Sequence, residues 1–299
     1  MSIDAIKTVA VLGAGTMGNG IAHVFARAGF QVILRDVEQR FLERGIETIG
    51  KNLDREIKKG KLAEGEKAAV LGRVQCVTGM AAIGAADFAV EAVPEKLEIK
   101  RAVLTEADGI LRPEVILASN TSSIAMTTLA AITKRADRFV GMHFMNPVPV
   151  MVLVEVIRAL QTSDATFAAT MELAKKLGKT PVAVNDFPGF VSNRVLMPLI
   201  NEAAFCVMEG VATAEAVDAV MKTGMNHPMG PLELADFIGL DVCVDILDVL
   251  YAGFHDSKYR ACPLLRKMVA AGWLGRKSGR GFYVYDDKGK RAAVAVSSK

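Results

Sequence analysis

Cysteine, net charge and long apolar runs are all scarce in this sequence of 299 residues, and each scarcity excludes a class of protein. The four cysteines are far apart and form no CxxC pair, so we expect no disulfide framework and no metal site, and we infer a reducing compartment. Lys and Arg total 36 and Asp and Glu total 33, which leaves a net charge of +3. So small an excess argues against a general nucleic-acid binder.

Membrane and export signals are scarce as well. No apolar run reaches the roughly 18 residues that a membrane span needs. The sequence begins without the basic and apolar segments of a signal peptide, so we expect no membrane partner and a cytoplasmic location. Apolar residues, by contrast, make up 51% of the chain and charged residues 23%. This composition is typical of a globular protein with a sizeable core, and the length favours two domains.

Short apolar segments alternate with longer amphipathic ones through the first half of the chain. The predicted strands are 8–12, 31–35, 88–92, 115–119 and 139–143, followed by 150–156 and 181–184, and a helix over 17–28 follows the first strand. Strands that are apolar on both faces and separated by helices indicate a parallel sheet covered on both sides. We therefore predict an α/β fold with a Rossmann-type, mostly parallel sheet.

The second half of the chain has mostly helical periodicity. Its predicted helices are 190–208, 213–223, 232–250 and 264–271, with Thr213 as an N-cap. Turn-forming residues at 185–189 separate the two patterns. We place the domain boundary there, with a Rossmann-like domain over 1–186 and an all-helical domain over 187–299.

A helical hairpin is predicted near 45–75, because about fifty residues separate two strands there, too many for a simple crossover. Lys51, Arg55, Lys58 and Lys59 recur at helical spacing and give this hairpin a basic face. Such a face is either a solvated surface or a binding site for a substrate that carries several phosphates.

A glycine-rich turn follows the first strand and opens the first helix. The residues Gly13, Ala14, Gly15, Thr16, Met17 and Gly18 match the GxGxxG pattern of dinucleotide-binding turns. Asp36 ends the second strand, where a carboxylate would bind the adenosine ribose and repel a 2′-phosphate. This pattern predicts NAD as the cofactor, although the neighbouring Arg35 leaves NADP as an alternative.

Polar residues at the carboxyl ends of the later strands are the candidates for catalysis, because ligands of open parallel sheets bind at that edge. His143 ends one strand, and Glu155 lies inside an apolar run where a carboxylate needs a partner. Paired with Glu155, His143 would be a general base; alone, it would be a core histidine.

Two further polar residues are weighed in the same way. Ser122 either contacts a substrate hydroxyl or caps the helix that begins near Met126. Asn193 either contacts the substrate or makes a capping or interdomain hydrogen bond.

Six segments together carry a family resemblance: VLGAGTMGNGIA, SNTSSIAMTTLA, GMHFMNPVPVMVLVEVI, PGFVSNRVLMPLINEA, NHPMGPLELADFIGLDV and GWLGRKSGRGFY. The chain resembles the L-3-hydroxyacyl-CoA dehydrogenases, most of all the bacterial 3-hydroxybutyryl-CoA dehydrogenases, over nearly its whole length. Val152 departs from the family pattern, which commonly has Lys there, and we expect this to affect acyl-chain or CoA preference.

The resemblance implies roles for individual residues. His143 would be the base and Glu155 its partner, with Ser122 and Asn193 as substrate-binding catalytic residues. The further cofactor contacts that it implies are Glu95, Lys100, Ser122, Asn146 and Lys277.

It also implies the reaction and the partners. The substrates would be short-chain acyl-CoA thioesters, 3-hydroxybutyryl-CoA and acetoacetyl-CoA, and the assembly a homodimer. The alternatives are a sister dehydrogenase of a free hydroxy acid such as L-gulonate, an NADP-preferring enzyme, or a binding protein that has lost catalysis. The last would lack His143, Glu155 or Asn193, and all three are present.

Overall fold

The computed structural model describes residues 3–292, and the chain divides into two compact units between Phe187 and Pro188. The first unit is built on a sheet of eight strands: β1 (Thr8–Leu12), β2 (Gln31–Arg35), β3 (Val74–Val77), β4 (Phe88–Glu91), β5 (Ile116–Ser119), β6 (Phe139–Phe144), β7 (Leu153–Arg158) and β8 (Thr180–Asn185). Their order is β3-β2-β1-β4-β5-β6-β7-β8. All neighbours are parallel except β6 and β7, which confirms the predicted mostly parallel Rossmann-type sheet.

Two strand predictions were wrong in detail. The edge strand β3 was not predicted, because its four residues are only partly buried and carry no continuous apolar run. The strand predicted from position 150 begins at Leu153 instead. The residues before it form a turn, in which the amides of Val150 and Met151 both donate to the carbonyl of Pro147.

Helices of the first unit connect the strands and cover the sheet. They are α1 (Thr16–Arg27), α2 (Gln39–Lys58), α3 (Glu66–Gly72), α4 (Leu97–Ile110), α5 (Met126–Ala130) and α6 (Asp164–Lys176). The segment predicted as a hairpin contains the second half of α2 and all of α3. Leu42, Ile49 and Leu53 of α2 are fully buried and join the same apolar core as α1 and the sheet. The hairpin is therefore anchored on the core of this unit.

The second unit consists mainly of five helices: α7 (Ser192–Met208), α8 (Ala214–Gly224), α9 (Pro231–Ile238), α10 (Leu240–Phe254) and α11 (Pro263–Ala270). The predicted N-cap is confirmed, because the Thr213 side chain accepts a hydrogen bond from the amide of Ala216 at 3.3 Å. The single helix predicted over 232–250 is wrong. Gly239 breaks it into α9 and α10 with a φ of +106°, a backbone conformation that favours glycine.

A short extended segment follows α11, with isolated backbone bridges between Gly275 and Arg280 and between Tyr285 and Arg291. Asp236 of α9 holds this segment, since its carboxylate accepts hydrogen bonds from the amides of Phe282 and Tyr283. Within residues 3–292, no helix is both long and apolar enough to span a membrane.

Candidate active site

The carboxyl ends of β1, β4, β5 and β6 lie at one edge of the sheet, because these strands are parallel neighbours. The glycine turn follows β1, Glu91 ends β4, Ser119 ends β5, and His143 is the penultimate residue of β6. The structure thus gathers the predicted polar residues of the first unit at the edge where open α/β sheets bind ligands.

The glycine turn has the geometry that a pyrophosphate requires. A Cβ on Gly18 would lie 1.7 Å from the carbonyl oxygen of Gly13, so a side chain there would separate α1 from the turn. A Cβ on Gly15 would meet nothing within 4 Å, which leaves open space in front of the turn. Gly15 is also the N-cap of α1, so this end of the helix has no side-chain cap. The amino end of α1 therefore fits a phosphate group.

Asp36 lies beside this turn. Its Oδ2 accepts a hydrogen bond from the amide of Ala14 at 2.6 Å, and its Oδ1 accepts one from the amide of Val37 at 2.7 Å. Arg35 donates from Nε to the carbonyl of Thr78 at 3.2 Å. The carboxylate is thus fixed at the turn, where it suits a ribose hydroxyl and repels a phosphate.

His143 and Glu155 face each other across the antiparallel pair of β6 and β7. The Nδ1 of His143 lies 2.8 Å from Oε2 of Glu155, so the contact predicted from the sequence is present. The two residues are 7% and 2% exposed. If Nδ1 carries the proton and donates a hydrogen bond to the carboxylate, Nε2 keeps its lone pair and can accept a proton from a substrate.

Ser122 lies in the loop between β5 and α5. Its amide donates to Oε1 of Glu95 at 2.9 Å. The amino end of α5 is capped by Asp186, whose carboxylate accepts from the amides of Met126 and Thr127 at 2.9 and 2.6 Å. Ser122 is therefore not the N-cap of that helix, and one of its two interpretations is excluded.

Glu95 and Lys100 form an ion pair at this edge, with 3.1 Å between Oε2 and Nζ. Burial alone would raise the pKa of the Glu95 carboxyl, but the charge of Lys100 and hydrogen bonds from Thr121 and Ser123 outweigh it and hold that pKa below its ordinary value. Lys100 is 1% exposed. Glu95 is therefore ionised at neutral pH.

Asn146, Asn193 and Lys277 are the remaining predicted residues. Asn146 is exposed on the loop that follows β6. Asn193 is the second residue of α7, and Lys277 makes an ion pair with Asp241 at 2.6 Å; both belong to the second unit. Their roles in catalysis and cofactor binding stay predictions. No group of three His, Cys, Asp or Glu side chains within residues 3–292 is placed to hold a metal ion.

A cavity of about 560 Å³ opens in the first unit, and most of its basic lining was missed from the sequence. The cationic side chains around it are Arg27, Arg55, Lys59, Lys61, Lys176 and Lys179, against the single acid Glu56. Pro147, Pro149, Val150 and Val152 of the loop between β6 and β7 form another part of the wall. No sequence pattern marks Arg27 and Lys179, because they lie far from α2 along the chain and meet at the cavity only after folding.

Glu56, the acid that lines this cavity, contacts two side chains of α1. It accepts a hydrogen bond from Nε of Arg27 at 3.1 Å, and its other oxygen lies 3.1 Å from Nε2 of the fully buried His23. Burial lowers the pKa of His23 despite the attraction of Glu56. Lys179 donates from Nζ to the carbonyls of Val148 and Met151 at 2.6 and 2.7 Å, which ties the loop after His143 to the cavity wall.

Comparison with known families accounts for nearly the whole chain. The profile described as "3-hydroxyacyl-CoA dehydrogenase, NAD binding domain" matches residues 8–187, and the one described as "3-hydroxyacyl-CoA dehydrogenase, C-terminal domain" matches residues 189–285. The chain belongs to the 3-hydroxyacyl-CoA dehydrogenase family. It is an NAD-dependent oxidoreductase that acts on 3-hydroxyacyl-CoA substrates.

Individual relatives are similar over almost their full length. A Bacillus subtilis protein named "Probable 3-hydroxybutyryl-CoA dehydrogenase" is 56% identical over 95% of this chain and 99% of its own. The 3-hydroxybutyryl-CoA dehydrogenase of Bradyrhizobium diazoefficiens is 54% identical over 94% of this chain and 96% of its own. The crystal structure of (S)-3-hydroxybutyryl-CoA dehydrogenase PaaH1 from Ralstonia eutropha superposes with a TM-score of 0.92 at 53% identity, covering 95% of this chain and all of that one.

Proposed function

We propose that this protein catalyses the reversible oxidation of (S)-3-hydroxybutyryl-CoA and related short-chain thioesters to the 3-ketoacyl-CoA, with NAD as the cofactor. The observation that carries the proposal is the buried contact of 2.8 Å between His143 and Glu155 at the sheet edge that also holds the glycine turn. The names of the similar proteins support the short acyl chain.

The proposed chemistry divides between the cofactor and the protein. NAD, when bound, supplies the hydride acceptor for C3 of the substrate. Nε2 of His143 takes the proton of the 3-hydroxyl group, and Glu155 stabilises the imidazolium that forms. Ser122 and Asn193 orient the substrate oxygens, and Asn146 lies near the nicotinamide.

The cofactor site is proposed on the glycine turn. Gly13 to Gly18 and the amino end of α1 receive the pyrophosphate, and Asp36 receives the adenosine ribose. Glu95, Lys100 and Lys277 complete the contacts that the family resemblance implies.

The CoA part of the substrate is proposed to occupy the basic cavity. Six cationic side chains line it against one acid, and CoA carries three phosphate groups that need such an environment. The loop between β6 and β7 lines this cavity and joins the two strands that carry His143 and Glu155. In this proposal the thioester lies along the loop, with its phosphates in the cavity and its acyl end at His143. Val152, the departure from the family pattern, is 60% exposed on this wall.

Two broader features complete the proposal. The protein is a homodimer, as the family resemblance implies. It works in the cytoplasm, a reducing compartment that the few and widely separated cysteines favour.

A substrate panel tests the reaction. We expect acetoacetyl-CoA with NADH to give the highest kcat/KM among 3-ketoacyl-CoA thioesters of increasing chain length. NADPH and free hydroxy acids such as L-gulonate serve as comparisons. Faster turnover of a free hydroxy acid or a preference for NADPH would overturn the assignment.

A His143→Gln substitution tests the catalytic base. Since general-base catalysis typically contributes 10²–10⁴-fold, we expect turnover to fall by about that factor while NADH still binds. The control is His255→Asn, which changes an exposed histidine of the second unit. A loss of less than about tenfold in the His143 variant would contradict its role.

A further inference from the structure

A buried chain of charged groups joins β4 to the loop that carries Ser122. Glu91 and Lys100 are 0% and 1% exposed, and Lys100 Nζ lies 2.7 Å from Oε1 of Glu91. The same ammonium lies 3.1 Å from Oε2 of Glu95, which is partly exposed at the edge of the site. Buried charges are costly unless they are paired and hydrogen-bonded, so this cluster needs a reason to be there.

The buried part of the cluster is saturated with hydrogen bonds. Glu91 accepts from Lys100 and from the amide of Val93 through Oε1, and from the hydroxyl of Ser119 at 2.6 Å through Oε2. Lys100 also donates to the carbonyl of Val93 at 3.3 Å, which gives each of its three protons an acceptor. A cluster so fully satisfied favours a single arrangement.

Glu95 connects this cluster to the loop between β5 and α5, which carries Ser122. Its Oε1 accepts from the amides of Ser122 and Ser123 at 2.9 and 3.0 Å and from the hydroxyls of Thr121 and Ser123. Its lowered pKa keeps it ionised for these contacts. The other side of the loop is fixed by Asn120, whose side-chain oxygen accepts from the amide of Phe144, next to His143.

We propose that Glu91 and Lys100 are positioning residues: acting through Glu95, they set the place of Ser122 relative to His143. This inference rests on the proposed role of Ser122 in the reaction. Glu91 has no exposed surface, so it acts without touching substrate or cofactor. For Lys100 the role differs from the cofactor contact that the family resemblance implies. The NADH affinity of a Glu91 variant, which removes the charged partner of Lys100, separates the two.

The primary test is Glu91→Gln, which keeps the side-chain size and an acceptor for Ser119 but removes the charge that faces Lys100. Because small displacements of a positioning group cost up to about 10² in rate, we expect kcat to fall between about tenfold and a hundredfold. The dissociation constant of NADH and the KM for acetoacetyl-CoA should stay within about threefold. A tenfold loss of NADH affinity with unchanged kcat would overturn the inference.

A double-mutant cycle with Ser122→Ala distinguishes positioning from general damage to the fold. If Glu91 acts through Ser122, the variant carrying both changes turns over at about the rate of Ser122→Ala alone. Multiplicative losses in the double variant would overturn the inference. Should Ser122→Ala alone retain full turnover, the proposed role of Ser122 fails and the inference fails with it, which is a distinguishable result.

Asp108→Asn is the matched control. Asp108 forms a buried ion pair with Arg135 at 2.6 Å, and Arg135 binds carbonyls before β5, at the opposite end of that strand from Ser119. Its change should lower the melting temperature, and its effect on turnover should multiply with that of Ser122→Ala. If Glu91→Gln does not fold, Ser119→Ala replaces it in the same cycle, since it removes one hydrogen bond from Glu91, and multiplicative losses there would again overturn the inference.

Discussion

Asp36 is the residue proposed to decide the choice between NAD and NADP. Both of its carboxylate oxygens are held by backbone amides, those of Ala14 and Val37, so its charge stays at the glycine turn. A 2′-phosphate placed there would face this fixed negative charge, and a ribose hydroxyl would find an acceptor. In the sequence, Arg35 left NADP as an alternative cofactor. In the structure, its side chain donates a hydrogen bond to the carbonyl of Thr78.

We expect Asp36→Ala to weaken NADH binding by about tenfold or more, because it removes a charged acceptor of hydrogen bonds. The ratio of NADPH to NADH affinity should rise at the same time, as the repulsion is lost. Fluorescence titration with both cofactors measures this. Glu38→Ala is the control, since Glu38 is an exposed acid two residues away that pairs with Arg40. Equal effects of the two substitutions would contradict the role of Asp36.

Among the secondary-structure elements, α2 presents an apolar face and a basic face. Its apolar side, with Leu42, Ile49 and Leu53, packs into the core. On its basic side, Arg55 and the C-cap residue Lys59 line the cavity. The sequence pattern left open whether this basic face is solvated or binds phosphate. The cavity favours phosphate binding for Arg55 and Lys59, which line it. Lys51 does not line the cavity and is paired with Glu47 on the helix surface.

Lys59→Ala should raise the KM for acetoacetyl-CoA about three- to tenfold with little change in kcat, since a charge-assisted contact to CoA is lost away from the reacting atoms. The effect should shrink at high salt because exposed charges are screened. Lys58→Ala is the matched control: Lys58 is the neighbouring exposed residue and does not line the cavity. If steady-state kinetics give both variants the same KM, the cavity does not bind CoA as proposed.

The contact of α1 with α2 is expected to depend on pH through His23. Burial lowers the pKa of His23 in the folded chain. Between this lowered pKa and the ordinary one, the unfolded chain binds a proton at His23 and the folded chain does not. Stability from this residue is complete above its ordinary pKa of 6.5 and is lost as the pH falls toward the lowered value.

Thermal melts at about pH 7.5 and 5.5 should therefore show a larger loss for the wild-type protein than for His23→Gln, which cannot take up the proton. His255→Asn should respond to pH as the wild type does, because that histidine is exposed. An identical loss in the wild type and His23→Gln would show that His23 does not titrate on unfolding.

At the scale of the whole molecule, the assembly is the feature that one chain does not display. Several apolar side chains on α7 and α8 are exposed in the single chain, among them Val195 at 66% and Val220 at 59%. A homodimer, which the family resemblance implies, is the kind of assembly that buries such side chains. We expect light scattering at micromolar concentration to give twice the mass of one chain. A single-chain mass across that range would contradict the homodimer.

The sequence was enough to predict β1, β2 and the glycine turn, because strand, turn and helix there are fixed by local preference and by apolar periodicity. It was not enough for β3, which is held as an edge strand by pairing with β2, or for the break at Gly239, where a helical pattern continues across a left-handed residue. Such features depend on neighbours far along the chain.

The candidate site divides in the same way. The polar residues at the strand ends could be read from the sequence, and the six characteristic segments carried the resemblance to the family. The apolar run around Glu155 also indicated that this acid needs a partner. That β6 and β7 run antiparallel, and so place Glu155 directly opposite His143, is visible only in the folded chain. The folded chain also links Glu91 to Ser122 through Lys100 and Glu95, and it places Arg27 and Lys59 around one cavity. Such arrangements arise where separate elements pack, and no local pattern encodes that packing.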